Sequence, residues 1–138
     1  GAFLMTERVA QNSLTSGDHG TTYGGNPLAC AAINKVLDIY EQDKIVEHVN
    51  QVAPYLEKRL KELKDKYACI TEHRGIGLMQ GLKFDRPVGP VINKAVEKGL
   101  LLINAGADII RFVPSLIITE QNIDDMITIL DACIAETM

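Results

Sequence analysis

The stretch His19-Gly20-Thr21-Thr22-Tyr23-Gly24-Gly25-Asn26 places two adjacent hydroxyls among glycines. Glycine lets a backbone approach a ligand closely, and exposed amides beside hydroxyls suit an oxyanion such as a phosphate monoester. No Gly-Lys-Ser/Thr follows, so this is not a Walker loop. The residues alone leave two readings open: a phosphate-binding loop, or a glycine-rich connection into a capped helix. A second centre is Arg111, within Asp108-Ile109-Ile110-Arg111-Phe112-Val113-Pro114. Alternation along a strand puts Arg111 on the side of Ile109 and Val113. A guanidinium that cannot lose its proton in such apolar company needs a carboxylate or water. Its partner is either a protein Asp or Glu in a structural salt bridge, or the carboxylate of a substrate held by two hydrogen bonds.

Other chemistries find little support. Gly75, Gly77 and Gly81 do not have the dinucleotide spacing, and a strand-like run follows them where that fingerprint needs a helix. His19, His48 and His73 do not stand at ligand spacing with cysteine or carboxylate, so no metal site is expected. No nucleophile with a nearby base can be assembled, and Cys30, Cys69 and Cys133 lack an electropositive setting.

The elements that must carry these residues are legible from periodicity and caps. The apolar opening Gly1-Ala2-Phe3-Leu4-Met5 reads as a buried strand already under way. It shows no initiator Met, basic region or cleavage signal, and the expectation is a piece of a longer chain. Thr6 to Gln11 suits a short helix, and Asn12 to Gly25 a polar loop. Asn26 is a good N-cap, and Pro27 suits the first helical position because it has no amide to leave unpaired. Leu28, Ala31, Ala32, Val36 and Tyr40 then follow at helical spacing, and the small residues Ala29-Cys30-Ala31-Ala32 would admit a close neighbour.

A second helix is expected from Asp43 to Lys66, with Ile45, Val49, Val52, Leu56, Leu60 and Leu63 on one stripe. Glu57 with Lys61, and Glu62 with Lys66, are favourable i, i+4 pairs on a solvated face. Pro54 either bends this helix or divides it in two. Ala68–Arg74 and Leu78–Phe84 read as antiparallel strands around a turn at Gly75-Ile76-Gly77. Val88–Lys98 is helical and stops at Gly99. Leu100–Ile103 and Ile109–Val113 are strands. Thr119 caps a last helix with Glu120 in its first turn and Ile123, Met126, Ile127, Leu130 and Ile134 on one face. Long helices followed by a small sheet of three or four strands make this an α+β chain.

Composition bounds the partners. The 138 residues are 46% hydrophobic, 23% charged and 5% aromatic, enough for one globular domain that buries roughly two thirds of its unfolded surface. The aliphatic content excludes disorder, and no stretch reaches the roughly 18 consecutive apolar residues of a membrane helix. Fourteen Lys and Arg against eighteen Asp and Glu give a net charge of −4, which disfavours nucleic acid and anionic membranes as partners. Three widely spaced cysteines in apolar settings suit buried thiols in a reducing compartment, and the expected location is the cytoplasm.

Taken together, His19-Gly20-Thr21-Thr22-Tyr23-Gly24-Gly25-Asn26-Pro27-Leu28-Ala29, then Arg74-Gly75-Ile76-Gly77-Leu78-Met79, then Gly99-Leu100-Leu101 and Ile110-Arg111-Phe112-Val113-Pro114 resemble, in order, the C-terminal third of class III pyridoxal-phosphate aminotransferases. The resemblance covers essentially the whole chain and is strongest to members of the class that use N-acetylornithine in arginine biosynthesis. It implies a type I pyridoxal-phosphate fold: residues 1–25 as the tail of the large cofactor-binding domain, 26–42 as an interdomain helix and 43–138 as the small C-terminal α+β domain. It also implies that Thr22, with Thr21 beside it, contacts the phosphate of the neighbouring subunit's pyridoxal 5'-phosphate across a homodimer interface. Arg111 would bind the carboxylate of the amino-acid or 2-oxo-acid substrate, or pair with a Glu of the large domain.

The departure from the family pattern is the missing catalytic half. The lysine that carries the cofactor, the Asp at the pyridine nitrogen, the aromatic stacked on the ring and the subunit's own phosphate cradle all fall upstream of Gly1 in that pattern. The chain alone is therefore expected to be inactive and to bind the cofactor weakly or not at all. Ornithine, succinyldiaminopimelate and 4-aminobutyrate stay open as donors, as does a non-catalytic module that pairs through the Leu28–Ala32 face.

Overall fold

A computed structural model describes residues 3–15 and 17–138. The chain divides into two compact units, Gly1–Lys44 and Ile45–Met138. The first holds helices α1 (Glu7–Ala10) and α2 (Pro27–Gln42). Helix α1 lies inside the expected window, flanked by Thr6 and Gln11. The expected opening strand is absent from the described residues: Phe3–Met5 have no regular structure and are exposed, and Gly1 and Ala2 lie outside that description. Apolar character does not suffice for a strand, because its backbone donors and acceptors must pair with a neighbour.

Helix α2 starts where expected, with Asn26 accepting a hydrogen bond from the Ala29 amide and Pro27 in the first turn. None of its residues is buried. Cys30, expected to be a buried thiol, is exposed, whereas Cys69 is half-buried and Cys133 buried; all three are free. A lone cysteine in a run of small residues follows the fate of its helix face.

The second unit runs α3 (Ile45–Lys66), β1 (Ile70–Ile76), β2 (Met79–Phe84), α4 (Gly89–Glu97), β3 (Ile103–Asn104), β4 (Ile109–Phe112) and α5 (Glu120–Thr137). The four strands form one antiparallel sheet in the order β1-β2-β4-β3. Alternation sorts its faces. Gln80, Leu82 and Phe84 of β2, and Ile110 and Phe112 of β4, are buried with the helices, whereas Arg74, Arg111 and Ile103 are exposed on the other face. Leu56, Leu60 and Leu63 of α3, Val91 and Ala95 of α4, and Ile123, Leu130 and Ile134 of α5 complete one continuous core.

Helix α3 is continuous, with Pro54 inside it. The missing amide of Pro54 leaves the Asn50 carbonyl without its helical partner, and both residues are exposed, so water can satisfy it. Glu57 and Lys61 pair at 2.6 Å as expected. Glu62 does not meet Lys66; it pairs with Arg59 and Lys58, and Lys66 reaches Asp131 of α5 at 2.7 Å. A tertiary partner here displaces a local one.

The β1–β2 turn is tighter than expected. Ile76 pairs with Met79, so the strands run through Gly75 and Ile76 and only Gly77 and Leu78 form the turn. Gly75 is a strand residue with φ +146°, and a Cβ there would collide with the Met79 carbonyl oxygen and stand 2.7 Å from Gln80 Cα. Strand β3 is shorter than the expected Leu100–Ile103, because Leu100 is used to end α4. The Leu100 amide donates to the Ala95 carbonyl and the Gly99 amide to that of Val96, which closes a Schellman cap. Helix α5 opens on a reciprocal capping box between Thr119 and Asn122.

Candidate functional site

In the first unit the glycine-rich loop enters α2 through a turn at 22–25. The Thr21 carbonyl accepts from the Gly24 amide at 3.3 Å, and its hydroxyl accepts from the Tyr23 amide at 3.4 Å. Asn26 secures both ends: its amide nitrogen donates to the Tyr23 carbonyl at 2.6 Å, while its oxygen caps α2. Gly24 suits this close approach, since a Cβ there would lie 2.5 Å from Thr21 Cγ2 and turn that side chain aside. The turn therefore uses the Thr21 hydroxyl internally and leaves the exposed Thr22 hydroxyl without a partner among the described residues. A free hydroxyl on a braced turn beside a helix N-terminus fits a phosphate oxygen. A hollow beside it is lined by Thr21, Tyr23, Gly24, Ala29, Cys30 and Ile33.

In the second unit Arg111 stands on the open face of the sheet. Its expected neighbours share that face, Ile109 half-buried and Val113 exposed. Among the described residues no carboxylate pairs with its guanidinium; the nearby Glu72 faces Arg74 at 3.9 Å and Asp108 faces Lys83 at 3.9 Å. The structural salt bridge is thus not formed within this unit. What the geometry offers is a free planar donor array suited to a carboxylate from outside it.

Arg111 borders two concavities. An apolar cavity of about 370 Å³ is lined by Leu56, Leu102, Phe112, Pro114 and Met126 as well as Arg111. On the outer face, a shallower hollow has Gly81 in its floor, with Arg74, Met79 and Ile109 around it.

One polar pair escapes sequence reasoning. Gln80 is 3% exposed; its amide nitrogen donates to the Gly77 carbonyl at 2.7 Å and its oxygen lies 2.8 Å from His73 Nε2. With the amide so oriented, His73 Nε2 carries the hydrogen. This bridge braces the hairpin next to β4. The signal that could have found it is a polar residue at a core position, between Leu78 and Leu82.

Residues 1–134 match the family model for aminotransferase class-III, and the chain belongs to that family. The mitochondrial acetylornithine aminotransferase of Saccharomyces cerevisiae is 46% identical over 125 residues, covering 90% of this chain and 29% of that protein. The acetylornithine aminotransferase of Clostridium acetobutylicum is 44% identical over 135 residues, covering 97% of this chain and 35% of that protein. The chain therefore spans about a third of the length of the curated relatives it matches. Among solved structures, the acetylornithine aminotransferase from Elizabethkingia anophelis superimposes with a TM-score of 0.76 at 31% identity, covering 89% of this chain and 32% of that one. The mixed α+β architecture is that of pyridoxal-phosphate-dependent aminotransferases. No helix among the described residues is long and apolar enough to cross a membrane.

Proposed function

We propose that the protein to which this chain contributes is a pyridoxal-phosphate-dependent aminotransferase that moves the terminal amino group of N-acetylornithine to 2-oxoglutarate, a step of arginine biosynthesis, and works as a homodimer in the cytoplasm. The observation that carries this reading is the 44–46% identity, over nine-tenths or more of the chain, to acetylornithine aminotransferases. In this reading residues 1–25 end the large domain, 26–42 form the interdomain helix and 43–138 the small domain.

The bound cofactor supplies an electron-withdrawing ring for amino-group transfer. This chain supplies binding and orientation. The Thr22 hydroxyl, left free by its turn, donates to a phosphate oxygen of the cofactor in the neighbouring subunit, and Thr21 holds the turn in place beneath it. Arg111, with no carboxylate partner in its own unit, grips the carboxylate of glutamate or 2-oxoglutarate through two parallel N–H donors. That orients the reacting carbon, and no salt bridge within this unit has to break for it.

In the full-length protein, Arg111→Ala should weaken 2-oxoglutarate use by about 1.5 to 3 kcal/mol, the worth of a charge-assisted hydrogen bond. Arg111→Lys should recover only part of it, because the fork is lost. Unchanged kinetics in both variants would reduce Arg111 to a structural role. Thr22→Ala should loosen pyridoxal phosphate roughly tenfold by equilibrium dialysis, and an unchanged affinity removes that assignment. The 138-residue chain by itself should neither transaminate nor, after borohydride reduction with pyridoxal phosphate, carry label on one specific lysine. Specific labelling with activity would sink the proposal that the catalytic lysine lies elsewhere.

A further inference from the structure

We propose that Gly81 is a positioning residue for Arg111: its bare backbone keeps open the room in which the guanidinium and a bound carboxylate sit. The inference rests on the carboxylate-binding reading of Arg111. Gly81 lies in β2, directly opposite Arg111 of β4 on one side and Arg74 of β1 on the other. Opposed residues of antiparallel strands share a face, with Cβ atoms about 4.5–5.5 Å apart. A side chain at position 81 would therefore rise between the two arginines, with its first carbon against Ile109. Here, instead, Gly81 contributes to the floor of the outer hollow.

Nothing within its own unit asks for this glycine. Gly81 is not among the residues with positive φ. A Cβ added to it would meet Ile109 Cγ2 at 3.6 Å, the Ile110 carbonyl oxygen at 3.7 Å and the Arg74 carbonyl oxygen at 3.8 Å, all ordinary contacts. Gly75, in the neighbouring strand, is the control, for there a Cβ would strike backbone atoms. Glycine in a strand interior weakens the strand and often marks a site where a ligand or another backbone approaches closely. A glycine that its own unit does not require, directly opposite an arginine with no carboxylate partner among the described residues and lining the hollow beside it, fits a place kept open for a ligand.

The test is the affinity of the full-length protein for glutarate, a dicarboxylate that cannot react, measured by calorimetry alongside melting temperature. Gly81→Ala should bind glutarate about threefold more weakly and Gly81→Val about tenfold, with the melting temperature of Gly81→Ala no lower than that of the parent. In an Arg111→Ala background, Gly81→Val should add nothing. If both Gly81 variants bind glutarate normally while Arg111→Ala weakens it, the role of Gly81 is overturned and that of Arg111 stands. If Arg111→Ala itself has no effect, the carboxylate reading fails and this inference falls with it. A full Gly81→Val effect in the Arg111→Ala background also overturns it, because the room then serves something other than the guanidinium. Should the valine variant not fold, the alanine variant decides, since its Cβ fits.

Discussion

The two units of the chain use similar apolar residues to opposite ends. In Ile45–Met138, the helices and one face of the sheet converge on a single core in which Leu60, Leu82, Ile110, Ile123 and Leu130 are fully buried. In Gly1–Lys44, helix α2 is capped and regular, yet none of its residues is fully buried, and Leu28, Val36, Leu37, Ile39 and Tyr40 stay exposed. Regular secondary structure and a core are therefore separate achievements. Capping and periodicity shape a helix locally, but burial needs residues distant in sequence to arrive on the same face.

The sharpest way to break that contrast is a pair of truncations. Leu60→Ala should destabilise the chain by about 3 kcal/mol in denaturant unfolding, as a cavity in a closed core does. Leu28→Ala should change the same transition by less than about 0.5 kcal/mol. An equal cost at both positions would mean that α2 belongs to the same cooperative core. Next in size, Gly75→Ala should cost about 2 kcal/mol, because positive φ and a backbone collision act together; a neutral result would remove the close approach seen at Met79.

The caps give a smaller contrast. Thr119→Ala should lower the stability of the second unit by about 1 kcal/mol, visible as a lower denaturation midpoint. Asn26→Ala, which removes an equivalent cap from α2, should reduce helical circular dichroism and leave that midpoint in place. The smallest effect concerns acid. The hydrogen bond from the Lys66 ammonium, helped by the Tyr67 hydroxyl and opposed by burial, holds the Asp131 carboxyl below its usual value. A carboxyl depressed in the folded state contributes stability above its unfolded value near about 3.9, and loses it as pH falls through the lower folded value. Asp131→Asn should thus melt below the parent at pH 7 and converge with it as pH falls below the lowered folded value of Asp131. A constant gap across that range would mean that the tie between α3 and α5 is not ionic.

Much of the fold was legible because its signals are local. Asn26-Pro27 marked the start of α2, Gly99 the end of α4 and Thr119 the start of α5, since each cap involves residues within a turn of one another. The aliphatic stripe of α3 appeared in sequence for the same reason. Failures fell where the partner is remote. Lys66 chose Asp131 on the surface of α5 over Glu62 one turn away, the strand expected at Gly1–Met5 is not formed by Phe3–Met5, and Leu100 was spent on a helix cap. The candidate site divides along the same line: Thr21, Thr22 and Arg111 could be singled out by type and setting, but not Gly81 or Gln80.

The amino-acid order by itself determined which segments are helical, where they stop, and that a glycine-rich loop with two adjacent hydroxyls and a strand-borne arginine exist, because caps, periodicity and alternation are written within a few residues. Tertiary structure alone decided that Arg111 faces outward with no carboxylate partner among the described residues, that Gly81 lies directly opposite it, and that Gly75 is a strand residue under a carbonyl. Those facts depend on strand register, and register is set by which distant faces bury together.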